Sequence, residues 1–175
     1  MKKFLFLFVL LLSAGVNAQN FPDGWVGDYS GEMHIGFAEK QGDTVDVDFE
    51  IHEVAKDSAW TYKMTYHSDK FGEIVKDYVI RKRGETASDF ILDELDGILI
   101  EMTLMDNCFY SSFEVLGSIY TATIYKHGED LFFDLIVVSL KPSMESKSEE
   151  DDEGNSFEVN SYKPTLHQSV SLKRQ

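Results

Sequence analysis

The chain is poor in cysteine, proline and basic residues. It has one cysteine and three prolines in 175 residues, with 16 Lys and Arg against 31 Asp and Glu for a formal charge of −15. A lone cysteine cannot close an internal disulfide, so the fold rests on packing, and Cys108 beside Phe109 and Tyr110 reads as a packed thiol. The negative charge repels phosphates and anionic lipid surfaces, which excludes a nucleic-acid binder. Long apolar runs are also missing after residue 12. The run over residues 4–12 is too short and too early to span a membrane. With Lys2 and Lys3 before it and Val16-Asn17-Ala18 after it, it reads as an export signal over 1–18, cleaved after Ala18. No cysteine lies near that point, so a lipid anchor is not expected, and the protein is placed in the periplasm or outside the cell. What remains, 19–175, suits one domain with a substantial core.

Catalytic signatures are absent too. The chain has no Gly-x-Ser-x-Gly elbow, no His-Glu-x-x-His, no phosphate loop and no nucleophile beside an identifiable base. Asp93, Glu94 and Asp96 cluster at a hairpin end, where turn chemistry explains them. A non-enzymatic protein without a cofactor is expected.

What the sequence does have is alternation. Trp25, Tyr29, Met33 and Ile35 share one parity with Gly27 and Gly31, while Asp28, Ser30, Glu32 and His34 hold the other. That period of two describes a strand half buried and half wet, and its inward glycines mark sharp coiling or a close neighbour. Val45, Val47, Phe49 and Ile51 repeat the pattern, as do Trp60, Tyr62, Met64 and Tyr66. A mixed-face strand follows over 74–82. Hairpins are expected over 89–104, turning at Asp96-Gly97, and over 109–126, turning at Gly117-Ser118. Residues 131–138 are apolar on both parities, which predicts cover on both sides or a neighbour faced across the outer surface. The stretch 143–155 is acidic and aperiodic and reads as a mobile loop, not a calcium loop, because EF-hand spacing is missing. Strand pattern returns at 157–159 and 167–174, and no helical period occurs between. The pattern predicts one antiparallel up-and-down β-barrel of about 8–10 strands.

Trp25 with Gly27 near the start, Leu92-Asp-Glu-Leu-Asp-Gly-Ile98, Ser112-Phe-Glu-Val115 and Arg174 near the end give a chain that resembles the calycin superfamily. That superfamily includes lipocalins and fatty-acid-binding proteins, and the likeness is greatest to small, exported, lipocalin-like bacterial proteins. The resemblance implies that Trp25 closes one end of a cavity and that Arg174 packs across it. Parity agrees, because Arg174 shares a face with Val170 and Leu172.

The inward set Trp25, Tyr29, Phe49, Trp60, Tyr62, Tyr66, Phe109 and Phe113, with Arg174, forms the candidate ligand-binding site. Such residues either fill a barrel or line a cavity with a few polar handles. Buried tyrosine hydroxyls need partners, which favours a small apolar or amphipathic ligand. On the outer face a register pairing His34 with Asp46, and Asp46 with His67, would set three possible zinc or copper ligands in a row; a wet polar ladder explains the same residues. No metal site is assigned. His167 is the one candidate haem ligand, and its parity points outward. Two functions follow: an exported barrel that binds a small hydrophobic ligand, or an exported interaction module with a filled interior that uses its rim or the acidic loop. An interior void of roughly 300 Å³ or more favours the first.

Overall fold

The computed structural model describes residues 21–175. The expected export signal at 1–18 lies outside the described residues. The strands are β1 (Gly27–Phe37), β2 (Asp43–Ile51), its short continuation β3 (Glu53–Ala55), β4 (Ala59–Ser68), β5 (Gly72–Lys82), β6 (Asp89–Asp93), β7 (Leu99–Met105), β8 (Cys108–Val115), β9 (Ser118–His127), β10 (Asp130–Ser139), β11 (Met144–Lys147), β12 (Glu158–Ser161) and β13 (Pro164–Arg174). The large sheet runs β2-β1-β13-β10-β9-β8-β7-β6-β5-β4-β3, and β2 also pairs with β4. That last pairing joins the ends of the sheet, so ten strands close into an antiparallel lipocalin-like barrel and β3 is an eleventh outside the ring. The last strand closes the ring against the first, β13 lying between β1 and β10.

Alternation builds the ring as the pattern requires. Val47, Phe49 and Ile51 of β2 are fully buried while Asp46 and Asp48 face water. Burying an aromatic or branched side chain of this size contributes about 1.5–3 kcal/mol. In β10, Leu131, Phe133 and Val137 point inward. The expected cover on its outer face comes partly from within the sheet, where Phe132 stacks on Tyr125 of β9 at 5.1 Å.

One end of the barrel is shut by aromatic side chains. Phe21, in the turn before β1, meets Trp60 at 4.7 Å, Phe109 at 5.0 Å, Phe90 at 5.5 Å and Trp25 at 5.7 Å, all edge to face. This is a favoured geometry for aromatic pairs. The Trp25 indole N–H donates to Asn107 Oδ1 (3.2 Å) in the turn between β7 and β8. The Arg174 guanidinium donates to the carbonyls on either side of Trp25, Gly24 (3.0 Å) and Val26 (2.6 Å). It lies 5.8 Å from the Tyr29 ring centroid, so its aromatic partner is Tyr29, where the resemblance implied Trp25.

The stretch 143–155 is only partly loop. Met144–Lys147 pairs with Glu158–Ser161 as a hairpin bonded to no other strand. Its turn is set by Asp151, whose carboxylate accepts the backbone N–H groups of Glu153 and Asn155. Backbone pairing and an Asx turn build this hairpin without apolar alternation in its first strand, so the pattern showed only the second, at 157–159.

Candidate functional site

Above the aromatic floor the barrel is hollow. A cavity of about 1010 Å³ opens to solvent at the end bearing the β1–β2, β4–β5, β6–β7 and β8–β9 connections. The wall is incomplete on one side. β5 pairs with β6 only through Val79–Lys82, and β7 with β8 only through Thr103–Met105, so the short β6–β7 hairpin leaves the upper parts of β5 and β8 without a ladder between them. The cavity therefore extends from Phe109 and Ile124 near the floor to Phe37 and Phe71 at the mouth.

Its chemistry is mostly apolar. Met64, Leu92, Ile100, Met102, Phe133 and Leu135 supply much of the wall, and Phe113 stacks on Tyr120 at 5.3 Å across β8 and β9. The polar handles concentrate on two neighbouring strands. Tyr62 and Tyr66 of β4 and Tyr78 of β5 line one side, Tyr62 directly opposite Tyr78 in the ladder. Burial pushes all three phenols above their ordinary value of 10.0; the proximity of Tyr78 adds to the effect at Tyr66, and Glu94 adds to it at Tyr78, taking each of those two to about 12. They remain neutral donors and acceptors across the physiological range. No side-chain nitrogen or oxygen is buried without a partner among the described residues. The tyrosine hydroxyls are thus satisfied or open to the cavity.

Four of the nine expected ligand-facing residues line this space: Tyr62, Tyr66, Phe109 and Phe113. Trp25, Tyr29, Phe49, Trp60 and Arg174 do not reach it. Trp25, Trp60, Tyr29 and Arg174 build the closed end, and Phe49 props Tyr62 edge to face at 4.8 Å. Parity shows that a side chain points inward, but not its height along the barrel axis, and the floor takes the lowest layer. Residues that the pattern did not single out include Tyr78, in the strand with mixed faces, and Tyr120. Tyr120 could have been found as the cross-strand partner of Phe113.

The outer histidines are arranged differently from the expected row. Asp46 pairs with His67 as expected, but His34 pairs with Thr44, and Glu32 takes the place beside Asp46. A slip of two residues keeps every side chain on its own face, so alternation cannot distinguish the two registers. In the observed register Asp43 pairs with Ile35, and the loop tucks in so closely that a Cβ at Gly42 would lie 2.8 Å from the Ile35 carbonyl oxygen. The observed register instead gathers Asp28, Glu50 and His52, with ligand atoms within 4.8 Å of one another. Lys63 already holds Glu50 at 2.7 Å, and His52 donates to Asp28 at 2.7 Å, so the cluster is satisfied as it stands. His167 faces out and bonds Asp134 at 2.8 Å, away from the cavity. Burial raises the Cys108 thiol above its ordinary pKa, in keeping with a packed side chain.

No family model matches the chain, and no curated protein matches it. Solved structures do. An S-type phycobiliprotein lyase from Guillardia theta superposes with a TM-score of 0.60 at 12% identity, covering 87% of this chain and 89% of that one. Rv2717c from M. tuberculosis gives 0.53 at 11% identity over 87% and 93%. A protein of unknown function of the DUF3598 family from Nostoc punctiforme gives 0.53 at 10% identity, over 87% of this chain and 48% of that one. At these identities the likeness is one of fold, and the shared fold is a lipocalin-like barrel.

Proposed function

We propose that the protein is an exported, non-enzymatic carrier that holds one small hydrophobic or amphipathic ligand inside its barrel. The single observation that carries this reading is the open cavity of about 1010 Å³, apolar over most of its wall. That volume sits at the upper end of the roughly 300–1,000 Å³ typical of ligand pockets. A barrel meant only as a scaffold gains stability by filling such a space, since unfilled volume forfeits dispersion contacts. The fold is shared with a phycobiliprotein lyase, which is compatible with a barrel that handles a small molecule.

The test is binding of N-phenyl-1-naphthylamine, whose fluorescence rises in apolar surroundings. Wild-type protein is expected to take up one equivalent with micromolar affinity. Ala122→Trp, which projects an indole into the cavity from β9, is expected to weaken uptake at least tenfold while the protein stays folded by circular dichroism. No uptake by wild type would sink the proposal.

A second reading, a module that binds another protein through its rim, rests on the open-end turns. Leu116 is 100% exposed and Leu95 55% exposed, and both adopt left-handed backbone (φ 49° and 63°). At the closed end the non-glycine residues in that conformation are Asp57, Asp106 and Asn107, types that tolerate it. A leucine kept wet and strained at a tip where Asn would be more stable points to a contact made elsewhere. Cross-linking in the native host, compared between wild type and Leu116→Asn, tests this reading; an identical cross-linking pattern would end it.

A further inference from the structure

We infer that the ligand is an amphipath with an anionic head, held at the mouth by Lys40 and Lys76 while its apolar tail lies toward the floor. This deepens the carrier reading and rests on it. The chain carries 31 acidic against 16 basic residues, and half of the 14 Lys and Arg among the described residues are held by a carboxylate. Three lysines line the cavity, with Asp43 and Glu94 as its acidic members. Lys70 is held by Asp43 at 2.9 Å. Lys40 and Lys76 join no ion pair among the described residues.

Lys76 carries the most weight. It stands opposite Met64 in the β4–β5 ladder, on the face that also bears Ile74 and Tyr78, so its stem runs along the inner wall. Its neighbours Glu73 and Asp77 alternate to the outer face, where their charges act on Lys63. The Lys76 ammonium lies 6.0 Å from the Tyr78 ring centroid, and that of Lys40 lies 3.8 Å over the Phe37 ring at the rim. Aromatic faces attract cations only modestly at exposed sites, so both ammonium groups stay open to an anion. The acidic remainder of the surface does not cancel this, because screening at physiological salt confines exposed charges to a range of about 8 Å.

Deeper in, the wall offers no countercharge. Below the mouth the one charged group of the lining is acidic, Glu94 beside Tyr78, and the other polar groups are neutral, chiefly the phenols of Tyr62 and Tyr66, with Ser111 and Thr123 of β8 and β9. A charged head buried there would lose its hydration without a partner, which is costly. A head at the mouth keeps water on one side and an ammonium on the other. The polarity of the site is therefore tail in, head out, with the tyrosines free to accept a mid-chain hydroxyl or carbonyl.

Displacement of N-phenyl-1-naphthylamine by laurate, 1-dodecanol and dodecylamine at pH 7.5 tests the head group at constant tail. Laurate is expected to displace the probe about tenfold more tightly than dodecanol, and dodecylamine less tightly than either. In Lys40→Met/Lys76→Met the laurate-to-dodecanol ratio should fall toward one, whereas Lys56→Met, at the closed end, should keep it. Raising sodium chloride to 0.5 M should shrink the ratio in wild type. If wild type binds the probe and all three competitors with equal affinity, or if the double variant keeps the laurate preference, the head-group assignment is wrong while the cavity reading stands. If wild type binds neither probe nor competitors, both fall together.

Discussion

Gly31 tolerates a side chain less than any other glycine in the barrel. A Cβ at that position would lie 2.4 Å from the Ser171 carbonyl oxygen and 2.9 Å from a Val170 methyl, because β13 runs close beside β1 there. The obstructing atom is backbone, so relief requires the strands to part. Gly31→Ala is expected to destabilise the protein by about 1–3 kcal/mol, the usual range for overpacking. Urea unfolding should report this as a lower midpoint at unchanged slope; a midpoint equal to wild type would show that the seam gives way freely. The alternation around Gly31 made its inward parity legible, and the missing side chain made a close neighbour legible. Which strand crosses it was not, since Ser171 lies 140 positions later and nothing local encodes that meeting.

At the scale of elements, β4 and β5 hold the polar character of the site. Tyr62 and Tyr78 face each other in one ladder, with Tyr66 four residues further along β4, and the phenolates they would become are disfavoured chiefly by burial. A phenol whose folded pKa is raised binds its proton more tightly in the native state than in the unfolded chain. Its stabilising contribution is complete below the unfolded value of about 10 and is lost as pH rises through the folded value of about 12. Spectrophotometric titration at 295 nm is expected to show at least these three of the eight tyrosines resisting ionisation until above pH 11. Urea stability should fall between pH 10 and 12. Tyr62→Phe/Tyr66→Phe should flatten that fall; an unaltered profile would place its origin elsewhere. The β4 tyrosines were legible from strict alternation. Tyr78 was hidden because β5 is exposed on both faces through its upper half, where no β6 residue covers it and apolar periodicity has no reason to exist.

For the whole molecule, closure is what matters. β13 pairs with both β1 and β10, and β2 pairs with β4, so the ring closes, and its unpaired strand edges are the upper parts of β5 and β8 beside the short β6–β7 hairpin. The β11–β12 hairpin takes no part in the closure. Replacing residues 144–161 by a short glycine-serine linker is expected to leave thermal stability within about 3 °C and probe uptake unchanged, since connection length adds little to loop-closure entropy. A large loss of stability would instead make the hairpin part of the folding unit.

The even-odd rhythm, the short Gly-containing turns and the missing helical period determined an antiparallel barrel and the inward or outward sense of most side chains. They did so because a strand's two faces see different solvents, and that difference is written locally in every second residue. Tertiary structure alone decided the β1–β2 register, the height of each inward residue and the hollow above the floor. Those depend on how far each strand slides along its neighbours and on Phe21 folding in from outside the ring to meet Trp25, Trp60 and Phe109. A two-residue slide leaves the hydrophobic pattern intact, and only the closed ring makes one choice of slide fit.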